Sequence, residues 1–502
     1  MMVDPGTYLT VADICFKLGR RVTQACKDWK NADAEVEERK TKVEFCWMQT
    51  QVQLEFILRI KDSLDPEFVG TIENVLFLLS TKLSLATTKL ENLRATSEAP
   101  DGTTTLRIRR FKYSGSKKSL DEIIADLEEW QRRFDPLWFL LMTLANPVID
   151  SQIRDKRQTY SPFSLAGGLR AALQENPSEH TSVFMAHDGI ELSDIALATA
   201  KHGRRNGKSY IVDPFAIPPQ SDLGNERENV RNLARKLRRA DPTTFRLLQC
   251  KGVINDPKRD PASFKFVYAL PANLARPRCL RRALLDDAGP LQLADKVRVA
   301  RDLATSVGYV HNFNFVHKSI RPENILLFDN EGAGPGPETF LVGFENFRAA
   351  DGPTRRAGDE DWEKDLYRHP SRQGAVPGAM YRMQHDIFSL GVCLLEVGLS
   401  RSFVVYPPGS GPSHGPLYGD VVGPVTEGLV SEALKVKLVA YAKAQLPGVV
   451  GPKYAAVVVT CLTCLDKDNE DFGEATMKDE DGILVGARFI EKIITKLSEI
   501  NL

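Results

Sequence analysis

The chain has 502 residues, 42% of them hydrophobic and 26% charged, with 66 basic and 66 acidic side chains. That length suggests about two to four domains, with enough apolar content for packed cores. A formal net charge of zero gives no basic excess to mark nucleic acid as a partner, nor to hold the whole chain on an anionic membrane.

The eight cysteines, Cys15, Cys26, Cys46, Cys250, Cys279, Cys393, Cys461 and Cys464, are scattered. This is not the spacing of a disulfide framework, and it suits a reducing compartment. Cys461 and Cys464 form an isolated C-x-x-C with no second pair or histidines at ligand spacing, so it reads as two helical cysteines near a core, and no metal is expected. The opening residues lack a charged stretch followed by an apolar one. The most membrane-like run, Pro136 to Ile149, is too short to span a bilayer. A cytoplasmic location is expected.

Four amphipathic stripes follow in chain order. Val11, Ile14, Leu18, Val22, Ala25 and Trp29 recur at steps of three or four, which places them on one helix face. Val36, Val43, Trp47, Thr50, Leu54 and Ile57 continue the rhythm, with Asn31 or Asp33 as cap candidates. Asp65-Pro66 opens a third stripe, Ile72, Val75, Leu79, Leu83, Ala86, Leu90 and Leu93. After a polar break from Ser97 to Lys118, Ser119 is the expected cap of a fourth helix bearing Leu120, Ile123, Leu127 and Phe134. That helix is expected to be interrupted at Pro136 and to resume through Leu144. Each stripe needs partners to bury it, so residues 1–148 read as an all-α bundle. The break carries Arg107, Arg109, Arg110, Lys112, Lys117 and Lys118. Two readings stay open for it: a solvated loop, or a lipid patch attracting anionic headgroups at about 1 kcal/mol per basic residue.

Residues 149–181 read as a connecting brace. Lys208 to Asp213 is a β-type run, Glu226 to Ala240 a basic helix, and Phe245–Cys250 and Phe264–Leu270 two strands. Leu293 to Val310 is a helix with Leu293, Val297, Ala300, Ala304, Val307 and Val310 on one face. A few strands followed mostly by helices suit an α+β domain over residues 182–502.

Three blocks in this region carry a family resemblance. Val316-His-Lys-Ser-Ile-Arg-Pro-Glu-Asn-Ile-Leu-Leu327 resembles the protein-kinase catalytic loop H-R-D-L-K-P-E-N. Asp386-Ile-Phe-Ser-Leu-Gly-Val-Cys-Leu-Leu-Glu396 resembles the helix after the kinase activation segment, and Tyr367-Arg-His-Pro370 stands where that segment ends. The resemblance implies a bilobal kinase fold. It also implies lost chemistry, because phosphoryl transfer needs a base, metal ligands and a lysine on the phosphates. The base position holds Ser319, and the metal-binding aspartate of D-F-G is replaced in Gly343-Phe-Glu345. No G-x-G-x-x-G lies between Phe184 and Ile211, Gly203 to Gly207 being a turn, and the strand lysine aligns with Asp213, with Lys208 as a weak substitute. His317, Arg321 and Asn324 are kept, His317 and Asp386 as architectural braces. The expectation is a pseudokinase with no cofactor. Nucleotide held without transfer, through a hinge at Tyr268, Ala269 and Leu270, is an alternative, and an active or atypical kinase binding ATP is another. Thr354, beside Arg355 and Arg356, stands at the activation-loop position and is a phosphosite candidate.

The plan as a whole resembles fungal proteins that join a HeLo-type cell-death domain to a kinase-like domain, and is similar in layout to mixed-lineage kinase-like pseudokinases. Asp4-Pro-Gly-Thr-Tyr with Leu18-Gly-Arg is similar to the opening of that bundle. Cys461 to Gly473, with Asp466, Asn469, Asp471 and Phe472, is similar to the tail of those kinase-like domains. The resemblance implies a kinase-like latch that releases a membrane-active bundle, with self-oligomer, protein or anionic membrane as partner and recruitment from cytoplasm to membrane. A non-catalytic scaffold binding protein partners is the alternative.

Overall fold

The computed structural model describes residues 6–28, 34–64, 66–92, 94–98, 104–108, 113–141, 149, 151, 182–185, 189–217, 222–256, 263–286, 289–330, 336–345, 347–349, 361–422, 431–473 and 483–500. The chain divides into two compact units, Met1–Gly167 and Gly168–Leu502. The first is helical and the second α+β. Of the expected brace at 149–181 only Ile149 and Ser151 are among the described residues, and Thr354 lies outside them.

In the first unit the four stripes become helices α1 (Gly6–Lys27), α2 (Ala34–Ile60), α3 (Pro66–Asn92) and α4 (Tyr113–Leu141). Helix α1 packs on α3 and α2, and α4 packs on α2 and α3. The α2 stripe is buried as expected, from Val36 through Ile57, and so is the α3 stripe from Ile72 to Leu90.

Helix α1 differs from its stripe. Val22 and Ala25 of the stripe are buried, but they share that face with Ala12, Cys15, Gly19 and Cys26, while Ile14 is 41% exposed. The reason is close approach. A Cβ at Gly19 would lie 2.1 Å from the Trp47 ring, so α1 presents its small residues to that indole and turns Ile14 outward. Two further expectations change. The break contains a hairpin, β1 (Arg94–Glu98) with β2 (Thr104–Ile108), paired antiparallel from Arg94↔Ile108 to Glu98↔Thr104. Helix α4 starts six residues before Ser119, which is therefore no cap, and it runs through Pro136 without interruption. Trp130 and Trp138 are buried on it, and tertiary burial of this kind outweighs the local cost of one proline.

The second unit opens on a six-stranded sheet. Its strands are β3 (Phe184–Met185), β4 (Glu191–Asp194), β5 (Lys201–Arg205), β6 (Lys208–Ala216), β7 (Cys250–Asp256) and β8 (Ser263–Ala269), in the order β3-β7-β8-β6-β5-β4. All neighbours are antiparallel except β3 and β7. Gly203 lies within β5, and the turn falls at Asn206-Gly207, both with positive φ as a tight hairpin requires. Helix α5 (Leu223–Arg238) is capped by Asp222, whose side chain accepts from the Gly224 N–H, and packs on β7. The strand expected at Phe245–Cys250 is displaced. Asp241 caps a helical turn, Pro242–Phe245, and the strand begins only at Cys250.

Beyond the sheet, β9 (Leu274–Cys279) pairs with β11 (Ile325–Asn330), which pairs in turn with β12 (Glu338–Leu341), and β10 (Phe315–Val316) pairs with β13 (Arg348–Ala349). Helices α6 (Leu280–Leu284), α7 (Leu293–Asn312), α8 (Met383–Leu399), α9 (Ser431–Val450) and α10 (Pro452–Leu462) complete the larger part. Every residue of α8 from Met383 to Gly398 is buried, so it is the pillar on which the catalytic-loop counterpart stands. On α7, Val297 to Val310 are buried as the stripe requires, whereas Leu293 is exposed. Cys461 and Cys464 are free and buried, and the Cys464 thiol donates to the Gln384 carbonyl. Asn469 organises the tail: its amide donates to the Thr460 carbonyl and the Thr463 hydroxyl, and its carbonyl accepts from Asp471 and Phe472.

Candidate functional site

The site is built on the loop between β10 and β11. Asp386 of α8 holds it from below. One carboxylate oxygen accepts the His317 N–H at 2.8 Å and lies 3.1 Å from the His311 ring, and the other accepts the Lys318 N–H at 2.9 Å and the Tyr381 hydroxyl at 2.7 Å. Burial pushes Asp386 up, but these donors and the fields of His311 and His317 outweigh it and leave the carboxyl below its usual range. Lys318 sits at φ +66°, a left-handed conformation that the two N–H bonds to Asp386 enforce.

His317 is fully buried, with Nε2 3.0 Å from the Val342 carbonyl and Nδ1 accepting from the Ser319 N–H. Burial lowers its pKa to about 4, so the ring is neutral near pH 7. Both ring nitrogens bond backbone groups.

Ser319, expected at the base position from the resemblance, is buried. Its carbonyl accepts from Asn324 Nδ2 at 2.7 Å. The other end of the Asn324 amide, Oδ1, accepts the Thr199 hydroxyl. Thr199 belongs to the segment 195–200 joining β4 to β5. A second bond runs from the Thr199 N–H to the Glu323 carbonyl, and the Cys279 thiol donates to the Ala196 carbonyl at 3.2 Å. The segment in the place of a glycine-rich loop is thus tied to the catalytic-loop counterpart. Sequence reading registered only the missing glycines there.

Asp213 completes the closure. It lies on β6 opposite Phe266 and is 1% exposed. Its Oδ2 accepts the backbone N–H of Gly343 at 2.8 Å and of Phe344 at 3.1 Å. Burial pushes its pKa up to about 7 against the pull of those two N–H groups. Its other oxygen, Oδ1, and the buried Tyr268 hydroxyl have no hydrogen-bond partner. Gly343 itself is at φ +82°, and a Cβ there would lie 2.1 Å from Asn324 Cγ. Position 343 therefore has no room for a side chain in this arrangement.

Glu345 faces the loop: it accepts Arg321 at 2.7 Å. Lys208 is exposed at the other end of β6, five residues from Asp213, or about 16 Å along a strand. At the hinge, the Ala269 N–H is donated to the Gln249 carbonyl and the Leu270 N–H to the Ser209 carbonyl, and the next residue, Pro271, has none.

A buried ionic cluster lies beside the loop. Arg281 of α6, with no exposed surface, pairs with Glu323 at 2.9 Å and Glu396 at 2.8 Å, and donates to the Tyr367 hydroxyl and Ser402. It joins the end of the catalytic-loop counterpart, α8 and the Tyr367 block. No spacing rule in the sequence links position 281 to 323 and 396.

The three described residues of the expected lipid patch lie on two elements. Lys117 lies on α4 and pairs with Glu35 of α2 at 2.6 Å, and Lys118 is exposed on α4. Arg107 lies on β2, while Arg109, Arg110 and Lys112 are outside the described residues. Among the described residues no group of three or more His, Cys, Asp or Glu is placed to hold a metal ion.

No family model matches the chain. It is similar over 152 residues, at 27% identity, to a probable serine/threonine-protein kinase of Dictyostelium discoideum, covering 30% of this chain and 8% of that one. It is 26% identical over 111 residues to the eIF-2-alpha kinase GCN2 of Schizosaccharomyces pombe, covering 21% and 7%. It is 29% identical over 130 residues to the eukaryotic translation initiation factor 2-alpha kinase 1 of Mus musculus, covering 23% and 19%. The chain spans no more than about a fifth of the length of these curated relatives. The C-terminal unit is a kinase-like domain, distant from and partial against the kinases it resembles.

Proposed function

We propose that this chain is a pseudokinase signalling protein, in which the kinase-like unit regulates the N-terminal bundle without transferring phosphate. The observation that carries the reading is the occupancy of the interlobe cleft by the chain's own groups. Asp213 is bonded to the Gly343-Phe344 backbone and Asn324 to Thr199. The groups that would meet nucleotide and metal are spent on one another, and Asp213 offers phosphate no positive charge. The test is thermal unfolding of the full chain with and without ATP, ADP and Mg²⁺, beside a phosphotransfer assay. No shift and no transfer is the expected result. Transfer to any acceptor would establish the kinase reading instead.

Membrane activity of the bundle, as in HeLo-type cell-death proteins, is the finer form of the proposal. Its support is apolar exposure: Phe77 and Leu85 of α3 are 63% and 56% exposed, and Val69–Glu91 is long and apolar enough to cross a bilayer by length and composition. Core helices of soluble bundles pass that same test, so dye leakage from anionic liposomes decides, comparing residues 1–148, checked for helicity, with the whole protein. Leakage by the fragment alone supports a membrane effector held in check from a cytoplasmic resting state. A scaffold binding protein partners is the second reading. It is favoured by interhelix ion pairs that tie the bundle shut, Arg39–Asp121, Lys82–Asp126, Lys89–Glu122 and Lys117–Glu35. A folded fragment that leaves liposomes intact favours it.

A further inference from the structure

Two cationic runs belong to the six-stranded sheet and the helix on it, and their side chains are held differently. On α5, Arg227 and Arg231 lie over the Phe184 ring, Lys236 donates to the Phe313 carbonyl and Arg238 to the Ser182 carbonyl. Arg235 and Arg239 have partners too. The β5–β6 hairpin is not engaged in this way. Lys201 pairs with Asp194 of β4 at 2.8 Å, but Arg204, Arg205 and Lys208 form no ion pair among the described residues. Glu191 stands opposite Arg204 in the β4–β5 register without closing to an ion pair. Arg204 and Lys208 are exposed, as are Asn206 and Gly207 at the tip.

Arg205 is paired in register with Lys208, directly across the Asn206-Gly207 turn. Like charges opposite one another in a hairpin work against its pairing, and an external anion would offset that cost. The register also sets what shares their face. Leu192, Gly203 and Tyr210 lie in one row across β4, β5 and β6, on the same side as Arg205 and Lys208, because strand side chains alternate. Leu192 is 43% exposed. The Ile190 and Tyr210 side chains close over Gly203, where a Cβ would lie 2.9 Å from Ile190.

The unpaired cations stand on both sides of the hairpin, Arg204 on one and Arg205 with Lys208 on the other. Charges spread in this way do not converge on one anion; they match a surface whose negative charge is itself spread out. Tyrosine and aliphatic side chains at the rim of a cationic patch have the composition of a bilayer interface, where long basic side chains reach the headgroups. Nucleic acid offers no apolar layer to Leu192 and Ile190.

We propose that the β5–β6 hairpin, with the exposed row of β4 beside it, is a membrane-contact surface of the kinase-like unit for bilayers rich in anionic phospholipid. The surface belongs to the second unit and does not depend on whether the bundle permeabilises membranes. Each basic residue near such a bilayer is worth about fivefold in affinity, and the attraction fades with salt.

The experiment sediments the full chain with phosphatidylcholine vesicles, with and without phosphatidylserine, and maps lysine acetylation on the protein. Lys208 reports the hairpin, exposed Lys118 reports the bundle, and exposed Lys467 is the reference. Anionic vesicles should protect Lys208 relative to Lys467, and phosphatidylcholine alone should not. Arg204→Gln, Arg205→Gln and Lys208→Gln together should lower affinity by roughly tenfold or more, with the melting temperature unchanged. Arg204→Lys with Arg205→Lys should bind within about twofold of the wild type, because charge acts here and not a fixed geometry. Leu192→Asn should lower the binding that survives raised salt. No sedimentation with anionic vesicles overturns the proposal, as does full affinity of the triple variant. Protection of Lys118 with Lys208 left reactive assigns the contact to the bundle and overturns it too. Loss of binding in the lysine pair overturns the diffuse-charge account. An oligodeoxynucleotide or polyglutamate that protects Lys208 at a lower charge concentration than the vesicles do overturns the assignment to a membrane.

Discussion

The carboxylate of Asp213 accepts the backbone N–H of Gly343 at 2.8 Å, joining the sheet of the kinase-like unit to the strand-end segment below it. The resemblance to kinases places a lysine and an aspartate at these two positions, where this chain has Asp213 and Gly343. The same bond that closes the cleft also requires Gly343 to be glycine, because its φ is +82° and Asn324 fills the space a Cβ would take.

Asp213 should make stability depend on pH in the sense opposite to an exposed carboxylate. Its folded pKa is raised to about 7, against about 4 in an unfolded chain. The folded state therefore keeps a proton that the unfolded chain has released. The stabilisation is fully present below about pH 4 and is lost as pH rises through about 7. Asp213→Asn keeps an acceptor for both N–H groups and removes the titration. Its melting temperature should exceed the wild type's at pH 8 and approach it at pH 5. A constant difference across that range would show that the carboxyl does not titrate there.

Buried histidines act in the other direction. Burial holds His317 at about 4, His369 at about 4 and His385 at about 3, all neutral in the fold. Folded pKa values below the usual value of about 6.5 give stability that is present at neutral pH and lost as pH falls through that window. Acid melting curves of the full chain should lose stability steeply below about pH 6, and His385→Gln should blunt that loss.

Gly343→Asp, the substitution that would restore a metal ligand by sequence, should fail structurally. A non-glycine residue at this φ costs about 1–3 kcal/mol before any collision, and the collision with Asn324 adds to it. Thermal unfolding should show a drop of several degrees, and ATP with Mg²⁺ should not reverse it. Combining it with Asn324→Ala, which clears the space, should recover part of the loss.

Arg281→Ala should be among the most damaging substitutions in the kinase-like unit. It leaves Glu323 and Glu396 buried without their shared cation. Breaking a buried pair of this kind costs about 3–5 kcal/mol. Denaturant melts should show it, while an exposed control such as Lys467→Ala should change little.

In the bundle, Gly19→Ala tests why α1 turned. Alanine is the better helix former by about 1 kcal/mol, yet its methyl meets the Trp47 ring. A net loss of stability, rescued in part by Trp47→Phe, is expected. A gain would show that α1 and α2 can separate freely at that point.

Much of the architecture was legible in residues alone. The α2 and α3 stripes and the long helix Leu293–Asn312 follow from helical periodicity, which the chain writes locally. The order of the three blocks around His317, Tyr367 and Asp386 was legible too, as a resemblance rather than as a pattern of burial. Tertiary structure decided the rest. Which face of α1 is buried was set by the bulk of Trp47, a residue on another helix. Helix α4 passed through Pro136 because its buried tryptophans lie on either side of it. The closure of the cleft depends on Asp213 reaching position 343 and Thr199 reaching Asn324, contacts 130 and 125 residues apart. No local pattern encodes such contacts, because they exist only once the sheet has packed over the loop.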